Sequence, residues 1–239
     1  MKDLHSHYLP TVDDGSRNIN VTKDMLFLAN AYGVKDIVFT PHYIEDSIYN
    51  STKSNNEKIF NEVKNVAKEF GINIYLANEV YLTSNIVKLL KSNIISSINN
   101  SRYVLIEIPM YSKVNQVKDI FFDVISNGYV PILAHPERYT AYYKDLNFFY
   151  ELRKMGVLMQ INYPSLVGIY GSHAKKMSKL LLKNNLISFV GSDVHRPDEK
   201  RMKAVSKAEK IVYKILGEVE GKKVLEDNFE SVINNVEIK

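Results

Sequence analysis

Five of the six histidines in this 239-residue chain sit in short motifs beside carboxylates. His5 and His7 form an H-S-H pair, followed by Asp13 and Asp14 in D-D-G. His42 closes T-P-H, His135 opens H-P-E-R, and Asp193 and His195 stand in G-S-D-V-H. Between them lie Glu79 in A-N-E-V and Glu107 in L-I-E-I-P. Imidazole and carboxylate without sulfur suit manganese, iron, cobalt or zinc. An ion held that way lowers the pKa of bound water and makes a nucleophile near neutral pH. Nine side chains are candidate ligands: His5, His7, Asp14, His42, Glu79, Glu107, His135, Asp193 and His195. Nine is enough for more than one ion.

Each also has a plainer reading. A single histidine in a folded protein is usually packed or solvated. His173, in G-S-H-A without an acidic neighbour, keeps that reading as a surface residue. Asp13 and Asp14 suit a turn. Glu79 and Glu107 lie among apolar residues, where an unpaired carboxylate is costly, so each is either a ligand or half of a salt bridge.

Placement separates these readings. Short β-rich runs cover Asp3–His7, Asp36–Thr40, Ile72–Ala77, Tyr103–Glu107, Val130–Ala134, Val157–Asn162 and Ile187–Gly191. Most are continuous apolar runs, as expected of strands buried on both faces. Helical stretches alternate with them. Over Val114–Asn127 apolar residues recur at helical spacing, and Gly128 follows as a C-terminal stop. Alternating strands and helices give an α/β fold with a parallel sheet. Nearly every candidate ligand falls at the C-terminal end of a run, where (β/α) barrels build their sites. An open sheet would spread these residues along an edge, whereas a barrel gathers them into one cup. No Pro/Gly/Ser-rich linker interrupts the pattern, so one domain over 1–239 is expected.

Composition narrows the chemistry. With no cysteine, thiolate catalysis and a disulfide framework are excluded. The net charge of +4 is too small to argue for nucleic acid. No apolar run reaches membrane-spanning length, and Met1–His5 lacks a signal-peptide core. A cytoplasmic protein is expected.

The set H-S-H…D-D-G, T-P-H-Y, N-E-V, E-I-P, A-H-P-E-R-Y and G-S-D-V-H resembles the polymerase-and-histidinol-phosphatase (PHP) superfamily. More narrowly, it resembles the bacterial manganese-dependent protein-tyrosine phosphatases of the CpsB/CapC type, which act in capsule and exopolysaccharide regulation. The similarity runs from Asp3 to about Val236. It implies a distorted (β/α)7 barrel with three metal ions at the C-terminal ends of the strands. His5, His7, Glu79 and Asp193 would hold one ion. Glu79 would bridge to a second with Glu107 and His135, and Asp14, His42 and His195 would hold the third. Arg138 falls on a phosphate-holding position. A second arginine is expected beyond S-D-V-H, where Arg201 is favoured over Arg196. The implied partner is a tyrosine autokinase with a tyrosine-rich tail, and a homo-oligomer is compatible with the pattern.

Three divalent ions bring about +6 and the four ionised carboxylates about −4, leaving about +2 for a phosphate-ester dianion to neutralise. Metal-activated hydroxide would attack phosphorus, with Arg138 on the equatorial oxygens. A tyrosine leaving group has a pKa of about 10 and needs little protonation. Asp14 or His42 would shuttle protons. Arg138 could instead be structural and pair with Glu137. Tyr8, Tyr43, Tyr139 and Tyr163 lie near strand ends and could wall a phenyl ring. The basic stretch Lys200–Lys210 reads as a solvated helix face. The rivals are a histidinol-phosphatase-like enzyme, a PHP nuclease and an inactive docking module.

Overall fold

The computed structural model of the chain describes residues 1–143 and 145–238. Its strands are β1 (Lys2–Asp3), β2 (Asp36–Phe39), β3 (His42–Tyr43), β4 (Asn73–Leu76), β5 (Glu79–Tyr81), β6 (Tyr103–Glu107), β7 (Val130–Ala134), β8 (Leu158–Asn162) and β9 (Phe189–Gly191). Every pairing between them is parallel. The ladders form two sheets, ordered β1-β2-β4 and β3-β5-β6-β7-β8-β9. The helices are α1 (Ile19–Ala31), α2 (Lys53–Glu69), α3 (Ile86–Lys91), α4 (Val117–Ser126), α5 (Leu146–Met155), α6 (Tyr163–Val167), α7 (Gly171–Lys183), α8 (Glu199–Lys222) and α9 (Asn228–Ile233). The result is the expected α/β alternation.

Some boundaries differ from expectation. The first run pairs only over Lys2–Asp3. Beyond it, side-chain hydroxyls supplement the backbone bonds, such as Thr40 N to Ser6 O at 2.8 Å. Ser6 N donates to Thr40 Oγ1 (3.1 Å), and Ser6 Oγ donates to Val38 O (2.7 Å). His7 N still donates to Val194 O (3.0 Å) and Asp193 N to His5 O (2.8 Å). The α4 helix starts three residues later than expected, at Val117. Val114 N donates instead to the Tyr142 hydroxyl (3.1 Å), so its segment follows the neighbouring loop. Gly128 has a φ of +85° and ends the turn after α4 as expected. Two short strands, β3 and β5, were not expected. His42 and Glu79 pair with each other in register instead of trailing a finished strand.

A large hydrophobic cluster lies between strands and helices, with Ile37, Ile106, Leu133 and Ile161 among its strand residues and Met25, Phe121, Phe149 and Leu181 among its helical ones. A second cluster joins Leu4, Val38, Ala77, Leu105, Ile132, Leu158 and Phe189 to Phe229 and Val232 of α9. These residues share the other strand face, because side chains two apart point the same way. On α8, Lys200, Lys203, Lys207 and Lys210 are exposed, as expected of a solvated face.

Candidate metal centre

Following that second face along the strands leads out of the apolar cluster and into polar groups. Tyr103 and Leu105 are followed by Glu107, Ala77 by Glu79, Leu158 by Gln160 and Asn162, and Phe189 by Asp193 two steps on. Alternation alone would send His135 to the opposite face from Ala134. Its backbone is left-handed (φ 31°, ψ 55°), and its ring reaches Glu79. Asp193 is also left-handed, at φ 51°. Such conformations cost about 1–3 kcal/mol each and gather at functional sites.

Glu79 is the hub. Its buried Oε2 lies 3.1 Å from His5 Nε2, 3.4 Å from His7 Nε2 and 3.0 Å from His42 Nδ1. That oxygen has no hydrogen-bond partner. Its Oε1 lies 3.0 Å from His135 Nε2, which is 3.6 Å from Glu107 Oε1. Asp193 Oδ1 stands 3.6–3.7 Å from His5, His7 and His195 nitrogens. Asp14 Oδ1 is 3.4 Å from His195 Nε2 and 3.6 Å from His42 Nε2.

Four overlapping groups bring their donor atoms within 4.8 Å of one another: His7, Asp14, His42, His195; His5, His7, Asp193; His5, Glu79, His135; and His42, Glu79, Glu107. All nine expected side chains fall in these groups. The grouping differs in detail from the expected sets, since His7 also joins Asp14 and Glu107 joins His42. Imidazole nitrogens aimed at carboxylate oxygens, with a buried oxygen unbonded, fit a donor set built around divalent cations.

The charges agree with that fit. Burial opposes a charged imidazole at His5, but the Glu79 and Asp193 carboxylates outweigh it and lift its pKa to about 9. His7, buried beside Asp13, and His42, buried beside Glu79, rise to about 10. Burial and the nearby Glu79 charge push Glu107 up to about 8. Burial and the positive charge of the adjacent His7 bring His195 down to about 4. Protons here stand in for cations.

A supporting shell fixes the rings. Asp13 Oδ2 accepts from His7 Nδ1 at 2.7 Å and from His42 N at 3.1 Å. Of the D-D-G pair, Asp13 therefore orients and Asp14 faces the site. Gly15 makes the turn fit, because a Cβ there would lie 2.3 Å from His7 O. His5 Nδ1 faces Gln160 Oε1 at 3.0 Å, Gln160 Nε2 donates to Asn162 Oδ1, and Asn162 Nδ2 donates to Asp193 Oδ2 at 2.8 Å. Asp3, buried with its pKa raised to about 6, accepts from Ser192 N at 2.7 Å. Asp3, Gln160 and Asn162 lie outside the expected set of site residues. Two polar residues alternating inside the strand L-M-Q-I-N were the available signal.

Arg138 Nη1 donates to Asp193 Oδ2 at 2.6 Å. It does not pair with Glu137, which instead accepts from Asn162 N and the Ser165 hydroxyl. An open pocket of about 470 Å³ begins there, lined by Asp14, Arg138, Tyr170, Asp193, His195, Arg196, Asp198 and Arg201. Arg196 is exposed. Arg201 is held by Asp198 (3.2 Å), and its guanidinium carbon lies 5.2 Å from the Tyr170 ring centre. That of Arg138 lies 4.8 Å from the same ring. Tyr8, Tyr43 and Tyr163 are buried in the core and wall no phenyl ring, since packing fills both strand faces below the rim. Tyr139 is also buried, its hydroxyl donating to Ala134 O at 2.7 Å. Tyr170 is the ring at the pocket. His173 is exposed and outside the cluster, as expected.

The family described as "Capsular polysaccharide synthesis, CpsB/CapC" matches residues 1–234. The chain belongs to the CpsB/CapC family. The chain is 38% identical over 197 residues to the putative tyrosine-protein phosphatase CapC of Staphylococcus aureus, covering 82% of this chain and 77% of that one. Tyrosine-protein phosphatase CpsB of Streptococcus pneumoniae is 30% identical, with 98% of each chain covered. In structure, the chain resembles one from the crystal structures of YwqE from Bacillus subtilis and CpsB from Streptococcus pneumoniae, described as metal-dependent tyrosine phosphatases. There the TM-score is 0.88 at 27% identity, with 100% of this chain and 96% of the other covered. Beyond the CpsB/CapC family, a histidinol phosphate phosphatase from Lactococcus lactis shares the fold, with a TM-score of 0.58 at 17% identity and coverage of 91% and 95%.

Proposed function

We propose that this chain is a metal-dependent phosphomonoesterase that hydrolyses phosphotyrosine in a protein partner, in capsule or exopolysaccharide regulation. The observation that carries the reading is the convergence of His5, His7 and His42 on one unbonded oxygen of Glu79. Relatives of the same family bear the tyrosine-phosphatase name. His5, His7, Asp14, His42, Glu79, Glu107, His135, Asp193 and His195 are the ligands, and manganese is the favoured ion. The partner is a tyrosine autokinase with a tyrosine-rich tail, met in the cytoplasm.

We read the two sheets as one distorted barrel within a single domain. β2 leads into β3 across Thr40–Pro41, and β4 into β5 across Ala77–Asn78, so the nine strands make seven staves. Leu4 N reaches Val190 O at 3.4 Å, across the gap between β1 and β9.

Divalent ions held by these nine side chains would supply a nucleophile near neutral pH and offset phosphoryl charge. The remaining work belongs to the chain. Asp13 and Gln160 hold the Nδ1 protons of His7 and His5, leaving both Nε2 lone pairs turned inward. Arg138 presents planar donors that suit phosphoryl oxygens, with Arg201 beside the same Tyr170 ring. The phenolate, with a pKa of about 10, leaves without a strong acid. Asp14, whose side chain is 45% exposed, and His42 beside it exchange protons with water.

The test is hydrolysis of phosphotyrosine, phosphoserine and small alkyl phosphates, with manganese and with EDTA. Turnover of the phosphotyrosine peptide that EDTA abolishes and Mn²⁺ restores is expected. Activity unchanged in chelator would reject the metal role, and preference for alkyl phosphates would favour a small-molecule phosphatase.

A further inference from the structure

A second cavity, of about 230 Å³, opens beside the first and shares Arg138 and Tyr170 with it. Its other walls include Met110, Tyr111, Tyr143 and His173. These come from the loop after β6, the loop after β7 and the first turn of α7. The cavity is built in advance. Ala141 N and the Thr140 hydroxyl both donate to Met110 O, stitching the two loops together. The Tyr143 and His173 rings stack at 4.7 Å with an interplanar angle of 11°. Tyr111 stands at the rim, 83% exposed. Where the first pocket is ringed by arginines, aspartates and a histidine, this one offers flat rings and a thioether. Among the described residues that line it, the one carboxylate is Glu137, committed to Asn162 and Ser165.

A phosphotyrosine seated against Arg138 would lie next to this cavity, because Arg138 and Tyr170 line both. Its neighbouring residue then arrives above rings and a methionine. We propose that this cavity is a subsite for an aromatic or large apolar side chain flanking the phosphotyrosine. The proposal rests on the phosphatase reading and adds a sequence preference to it. Ring-on-ring and sulfur-on-ring contacts reward an aromatic occupant and give nothing to a small or acidic one.

The test uses the full-length protein loaded with Mn²⁺. Its substrates are phosphotyrosine peptides bearing Phe, Ala or Asp on either side, with p-nitrophenyl phosphate as a substrate that has no flanking residue. The Phe-flanked peptide should show a KM about fivefold below the Ala-flanked one on at least one side. Tyr143→Ala with His173→Ala should erase that difference and leave p-nitrophenyl phosphate hydrolysis unchanged. Tyr111→Ala, at an exposed position where folding is not at stake, should reduce it. Normal hydrolysis of p-nitrophenyl phosphate with no flank preference would overturn the subsite alone. A preference that survives all three truncations would overturn it too. No hydrolysis of p-nitrophenyl phosphate under any metal would remove the phosphatase reading, and the subsite with it.

Discussion

On β6 one face carries Tyr103 and Leu105 and then Glu107; on β8 it carries Leu158 and then Gln160 and Asn162. The N-terminal half of that face is sealed by Phe229 and Val232 of α9, with Phe229 edge-on to Tyr75 at 5.8 Å. The C-terminal half holds buried imidazoles and carboxylates that have mostly each other for partners. Two residues, about 7 Å of strand, separate dry packing from clustered charge. The dry half gains stability from burial. The charged half spends some of it on desolvation and on left-handed backbone at His135 and Asp193. Stability and function should therefore separate along the strands.

The sharpest way to break this comparison is at Glu79. Glu79→Gln keeps the shape and removes the charge that four histidines face. Phosphotyrosine turnover should fall to background, and metal measured by mass spectrometry should fall with it, while the protein stays folded. Full metal content in this variant would remove Glu79 from the centre. Arg138→Ala comes next, with a loss in turnover on the order of a hundredfold at unchanged metal content. Wild-type kinetics would make Arg138 a structural partner of Asp193.

At the dry end the signs reverse. Phe229→Ala should cost about 3–5 kcal/mol and lower the thermal midpoint by roughly 10 °C. Turnover per folded molecule should not move. A matched loss of kcat would show that the two halves are coupled.

This division explains what was legible in the chain. Apolar runs such as Tyr103–Glu107 and Val130–Ala134 matched the strands, because burial on both faces leaves a dense sequence signal. All nine candidate ligands converged, because an imidazole or carboxylate at the end of such a run has few other reasons to be there. β3 and β5 were not legible, being two and three residues long and defined by pairing with each other. Nor was Asp13's role beside Asp14, since D-D-G reads alike whichever carboxylate turns inward. Tyr170 was hidden because its partners, Arg138 and Arg201, lie far away in sequence.

Titration gives a finer test of the charged half. In the metal-free protein, His5, His7 and His42 have pKa values raised to about 9, 10 and 10. A raised imidazole pKa stabilises the fold fully below the unfolded value of about 6.5. That stabilisation is lost as pH rises through the folded value. Glu107, raised to about 8, loses favour with rising pH in the same sense. The thermal midpoint in EDTA should therefore fall between pH 7 and pH 10. Manganese held by these histidines would need them neutral and would displace their protons, so with it the slope over pH 6–8 should turn upward. Parallel slopes with and without metal would mean that these groups do not hold it.

The smallest effect belongs to Tyr170. Two guanidinium groups lie about 5 Å from its ring centre, and each such contact is worth about 0.5–2 kcal/mol. Its ring faces the arginines and not the histidine cluster, so Tyr170→Leu should leave metal content intact. The arginines would lose their common support and sample more orientations. A rise in KM for the phosphotyrosine peptide of about threefold to tenfold should follow, with a smaller change in kcat. Tyr170→Phe keeps the π face and loses only the hydroxyl, so it should restore most of the affinity. If Phe behaves like Leu, the hydroxyl is what matters and the stacking account is wrong.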